Sequence, residues 1–280
     1  MGTNRFEPLP DIWPRILAVT GNIGGIGKTS FLSVMTEAMR LADLEVELFQ
    51  VDEQEKLARL TGLPVVNLDL AVAGKSIVDS WAAQRAIRPL YDSIVAMPQT
   101  GHSVAFEIGG NASSVTHDAL RLLDIADELE ELKLNMDAHV VIVATEESLR
   151  QAPIEVARMM KTVPEANIVV VLNHRYGSVA NFLKQLPNDL AAPCSRLVEE
   201  LPTVTMRQVR PDVMRLWERL GVRPSQIIRW RLEGGYARVC AETGLDRFEA
   251  RLFAGELVGW AELVREDLIK VYPRLEAADA

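Results

Sequence analysis

The ten residues Gly21-Asn22-Ile23-Gly24-Gly25-Ile26-Gly27-Lys28-Thr29-Ser30 constrain this chain more than any other segment. An apolar run, Ile16-Leu17-Ala18-Val19, precedes them, and an apolar helical pattern (Phe31, Leu32, Val34, Met35, Ala38, Met39, Ala42) follows. A buried strand, a glycine-rich turn, a lysine, a hydroxyl and a helix in that order make a phosphate-binding loop. Glycines allow the backbone to turn tightly and to bring successive N–H groups towards an anion. The helix that follows adds the positive end of its dipole. In such a loop Lys28 reaches the terminal phosphates, and Thr29 places its hydroxyl on magnesium.

The rest of the chain alternates between strand and helix. Short apolar runs predict strands at 15–20, 46–52, 64–69, 103–109, 139–145, 167–173 and 197–204, the first six being the stronger. Helical patterns are expected behind the glycine loop, over 74–97, over 113–134 and over 147–162. This order predicts a three-layer α/β/α fold with a mostly parallel sheet of about seven strands. Ligands in such sheets bind at the carboxyl ends of the strands. After Pro202 the strand signals stop. Residues 206–280 read as a helical extension, broken near Gly221–Pro224, Gly234–Gly235 and Thr243–Gly244. The expected layout is an extension at 1–14, a nucleotide-binding domain at 15–205 and the helical extension at 206–280.

The standard phosphate-loop pattern asks for glycine where this chain has Asn22. Gly24-Gly25-Ile26-Gly27-Lys28-Thr29 instead resembles the variant loop of the ParA/MinD family of P-loop ATPases, Lys-Gly-Gly-x-Gly-Lys-Thr. Ile23 stands where that family carries a first lysine, which reaches across a nucleotide-sandwich dimer. Isoleucine has neither charge nor donor. Three strand ends extend the resemblance. Asp52 and Gln54 match an Asp and a Gln of the family's Asp-x-Asp-Pro-Gln, while Gln50 and Glu53 depart from it. Glu107, ahead of Gly109-Gly110-Asn111, takes the place of the family's Walker B aspartate. Its extra methylene moves the carboxylate by about 1.5 Å. Asn173 matches the position that contacts adenine, and its amide offers a donor and an acceptor to a purine edge.

The resemblance covers roughly residues 15 to 205. It implies a P-loop NTPase fold that binds ATP and Mg2+. The implied contacts to the nucleotide are Gly24, Gly25, Ile26, Gly27, Lys28, Thr29, Ser30 and Asn173. Lys28, Asp52 and Glu107 are the implied catalytic residues, and Thr29, Asp52 and Glu107 the implied magnesium ligands. Family members act as switches that dimerise and engage a protein partner in plasmid partition or conjugative transfer. The departures at Ile23 and Glu107 point to an alternative, a regulatory module with little hydrolysis. A small-molecule kinase or ligase is a third class, for which no substrate pocket is visible in the sequence.

Composition narrows the field further. The net charge of −9 argues against nucleic-acid binding over the whole surface. Charge is uneven, however. Arginines at 207, 210, 215, 219, 223, 229 and 231 lie close together, with Trp217 and Trp230 among them. Such a run can touch phosphates and stack on bases, and it can equally be a solvated helical face over a core. Cys194 and Cys240 have no metal-ligand spacing and suggest a reducing, cytoplasmic setting. No apolar stretch is long enough for a spanning helix. The residues at 1–14 lack the order of a secretion signal. Histidines 102, 117, 139 and 174 are scattered, and Ser113 and Ser114 offer caps for the helix after Gly110.

Overall fold

The computed structural model describes residues 6–51, 56–70 and 81–276. Seven strands form one sheet in the order β3-β2-β4-β1-β5-β6-β7. They are β1 Arg15–Thr20, β2 Val46–Val51, β3 Val65–Asn67, β4 Ser103–Ile108, β5 Asn135–Val143, β6 Asn167–Asn173 and β7 Thr203–Met206. Every pairing is parallel. The helices are α1 Lys28–Leu41, α2 Lys56–Thr61, α3 Ala82–Thr100, α4 Ser113–Leu122, α5 Ile125–Leu132, α6 Glu146–Thr162, α7 Val179–Leu183 and α8 Asn188–Glu200. Three more follow among the described residues, α9 Pro211–Leu220, α10 Pro224–Thr243 and α11 Arg247–Val271. This is the three-layer α/β/α arrangement of a P-loop NTPase.

Strand side chains alternate between two cores. Leu17 and Val19 of β1, Ala105 of β4, Val141 and Val143 of β5, and Val169 and Val171 of β6 face one side. There they meet α1 and the C-terminal helices. Ile16, Ala18, Phe106, Val140, Ile142 and Val170 face the other side, against α3 to α8. A strand buried on both faces has no polar side, and the central strands therefore read as continuous apolar runs. The C-terminal helices belong to the first core. Trp217 of α9 and Trp260 of α11 meet edge to face at 5.4 Å, and α11 lies on β7 and α1.

Several expected boundaries move. The run at 197–204 is not a strand: α8 extends to Glu200, and β7 is Thr203–Met206. Leu197, Val198 and Leu201 pack on the second core from that helix and its cap, so their apolar spacing reflects a helical face. β5 starts at Asn135, ahead of 139. The helix over 113–134 is two helices, parted where Asp124 takes a left-handed conformation with φ 47°. The helix over 74–97 is seen as α3, and residues 71–80 lie outside the described residues. Among the described residues, no helix is long and apolar enough to cross a membrane.

Candidate functional site

The glycine loop leaves β1 at Thr20 and enters α1 at Lys28. Gly25 and Gly27 have φ of 74° and 95°, a region that costs an L-residue about 1–2 kcal/mol. Lys28 is 95% buried, and its Nζ donates to the carbonyls of Gly21 (3.0 Å) and Ile23 (2.9 Å). The loop is thereby wrapped around an ammonium. α1 begins at the loop with no side-chain cap at Gly27, and the positive end of its dipole points into the loop. A methyl group added at Gly24 or Gly25 would meet nothing within 4 Å, which leaves the outer wall of the loop clear.

Thr29 and Glu107 come together across the layer between α1 and β4. Thr29 Oγ1 donates to Glu107 Oε1 at 3.0 Å. Two neighbouring oxygen ligands of an octahedral magnesium, each about 2.1 Å from the metal, lie about 3.0 Å apart. The hydroxyl and carboxylate therefore fit Mg2+ in separation and in chemistry. Gln50 of β2 pairs in register with Glu107 and projects to the same face of the sheet. It is buried, and its amide has no hydrogen-bond partner among the described residues. Asp52, expected beside them, lies outside the described residues.

Asn173 closes the other side of the loop. Its Nδ2 donates to Ile26 O (2.7 Å), and its Oδ1 accepts from the backbone N–H of Arg175 (3.1 Å). Arg175 in turn donates to Gly25 O at 2.9 Å. The amide expected to read a purine edge is thus engaged with the loop itself. It still borders a narrow cleft formed with Gly27, Ser30, Met206, Arg207 and Trp260. Burial and the charge of Arg207 push the neighbouring His174 below its ordinary pKa.

Sequence reasoning missed a buried polar group behind the loop. Glu155 of α6 is 99% buried. Its carboxylate accepts from Thr20, the residue before the loop, and from Ser113 at 2.8 and 3.0 Å. Arg158 donates to Glu155 at 2.8 Å and to Ser113 at 2.9 Å. Ser113 is therefore no cap: its hydroxyl points into this ring, and α4 has no side-chain cap. Thr162 gives its proton to Arg158 O (2.9 Å), so it accepts from His117 Nδ1 at 3.0 Å. His117 Nε2 then faces Glu155 at 3.4 Å. Burial pushes the Glu155 pKa up, but the neighbouring His117 and the hydroxyls of Thr20 and Ser113 outweigh it and hold the group at about 2. A glutamate on an amphipathic helix reads as solvated, and nothing local marked this one.

Three arginines of the run have local partners. Arg210 pairs with Glu256 (2.6 Å) and Arg223 with Glu37 (3.9 Å), while Arg231 lies over Tyr236 at 5.2 Å. Trp217 and Trp230 are both buried and have no face to offer a base. Among the described residues, no group of three or more His, Cys, Asp or Glu could hold a metal.

No protein-family profile matches the chain, and no curated protein matches it. Solved structures do. The MinD cell division protein of Aquifex aeolicus aligns at 15% identity over 88% of this chain and 98% of its own, with a TM-score of 0.43. The septum site-determining protein MinD of Pyrococcus horikoshii, complexed with Mg-ADP, aligns at 16% over 90% and 95%, with a TM-score of 0.47. Cyanothece McdA in complex with ATP aligns at 12% over 86% and 96%, with a TM-score of 0.44. At identities this low the likeness is one of fold, and the chemistry of the site is that of this chain's own residues.

Proposed function

We propose that this chain is a ParA/MinD-like ATP-binding protein, a magnesium-dependent ATPase switch whose nucleotide state controls the binding of a protein partner. The Thr29–Glu107 contact carries this reading, because it brings a hydroxyl and a carboxylate together beside a lysine-filled glycine loop at the ends of β1 and β4. Lys28 would exchange the loop carbonyls for phosphate oxygens, and the first N–H groups of α1 would receive the remaining charge. Thr29 and Glu107 would hold Mg2+, which when bound neutralises phosphate charge. Asp52 would position the attacking water, and Asn173 would keep the loop closed while bordering the base. The output is a conformational state. Plasmid partition or conjugative transfer is the setting that the sequence resemblance suggests, with a homodimer as the ATP-bound form.

A second reading, nucleotide binding with little turnover, is favoured by Ile23. This side chain packs against the apolar core where a cross-subunit lysine would be presented. One experiment separates the two: sedimentation with and without Mg-ATP, with phosphate release followed in the same samples. The switch predicts an ATP-dependent dimer with slow turnover, and the regulatory module a monomer that binds without turnover. Lys28→Ala should abolish ATP binding in a folded protein. Unchanged affinity in that variant refutes the site altogether.

A further inference from the structure

We propose that Glu155 is a positioning residue that latches the start of α4 to the root of the glycine loop. The inference rests on the reading of that loop as the nucleotide site. α4 is the first α-helix after Glu107, and the short 3-10 turn between them, Gly110–Ala112, lies on the loop. A methyl group at Gly110 would sit 3.0–3.1 Å from backbone atoms of Asn22 and Ile23. Any movement of this turn therefore acts on the loop and on the Thr29–Glu107 pair. Opposite that contact, Glu155 ties together three elements that are far apart in sequence. Thr20 belongs to β1, Ser113 to α4 and Arg158 to α6. Arg158, Ser113 and Glu155 close a ring of hydrogen bonds in which each group has a fixed role. Arg158 donates to both others, and Ser113 accepts from Arg158 and donates to Glu155.

Burying a carboxylate is costly, and well-packed apolar side chains would stabilise this layer as well or better. A charged, directional ring sets a register that apolar packing does not. The register it sets here is that of the segment behind Glu107 against the strand that feeds the loop. Glu155 would thus hold the β4–α4 segment in place without nucleotide, and a terminal phosphate would add to an ordered site.

Hydrogen exchange on the full chain tests this with Glu155→Gln, which removes the charge, and Ser113→Ala, which removes one hydroxyl and keeps every charge. Without nucleotide, amides of residues 109–118 should exchange about tenfold faster or more in both variants, with β1 and α11 unchanged. Saturating Mg-ATP should restore their protection, and Mg-ADP should not. Exchange at 109–118 within about twofold of wild type in both variants overturns the latch. So does an equal rise in every core element, since that is simple loss of stability. Should Glu155→Gln fail to fold, Ser113→Ala decides alone. A wild-type protein that binds no nucleotide overturns the reading of the loop, while the nucleotide-free exchange still decides the latch.

Discussion

At the scale of single residues, two glycines three positions apart, Gly24 and Gly27, have opposite tolerances. Gly27 has φ 95°, and a methyl group there would lie 2.3 Å from Asn173 Nδ2. Gly24 has an ordinary φ and open space around it. Gly27→Ala should therefore lower stability by about 1–3 kcal/mol and break the Asn173–Ile26 bond, with loss of nucleotide affinity. Gly24→Ala should stay within about 0.5 kcal/mol of wild type. Denaturant titration and nucleotide binding of the pair check both outcomes. Gly27, Lys28 and Thr29 were legible in the sequence because one short segment holds the whole device. Glu107 and Asn173 were legible as polar residues closing apolar strands. Glu155 was not, since Thr20 and Ser113 lie 135 and 42 residues away from it. A purely tertiary contact leaves no periodicity or motif.

At the scale of elements, α11 shows how a helix far along the chain is set. Asp246 Oδ1 accepts from the N–H groups of Phe248 and Glu249 at 2.8 Å each, and Glu249 reaches back to Asp246 N at 3.3 Å. This capping box fixes where α11 starts. The helix then carries Trp260 to the cleft beside Asn173, where its indole N–H donates to Arg207 O at 3.0 Å. Asp246→Ala should cost about 1 kcal/mol in denaturant unfolding, with nucleotide affinity almost unchanged because Trp260 lies more than three turns further on. Strands buried on both faces were easy to see as apolar runs. α8 was hard, because Leu197, Val198 and Leu201 crowd a helix end in a spacing that a short strand also permits.

At the scale of the whole molecule, two buried groups, His139 and Glu155, lower stability as the pH falls. His139 is fully buried, with its Nε2 beside the Tyr272 hydroxyl at 2.8 Å. Burial lowers its pKa from 6.5 to about 3, and Glu155 is lowered from 4.5 to about 2. Both folded values lie below the unfolded ones, so the unfolded chain binds more protons between them. Their contribution is complete above pH 6.5 and is lost as pH falls towards 3 for His139, and from 4.5 towards 2 for Glu155. Stability should decline at up to about 1.4 kcal/mol per pH unit for each group titrating. Denaturant midpoints from pH 7 to 4 measure this. His139→Gln should flatten the decline between pH 6.5 and 4.5, and an unchanged slope would refute the assignment.

The closed glycine loop also has a consequence for kinetics. Lys28 is already coordinated by the Gly21 and Ile23 carbonyls, so an arriving anion does not simply fill a waiting charge. It competes with two carbonyls for that ammonium, and capture becomes a substitution reaction. Encounter would scale with concentration, whereas release of the carbonyls would not. The observed association rate should then level off at high nucleotide, at the speed with which the loop lets go of its own lysine.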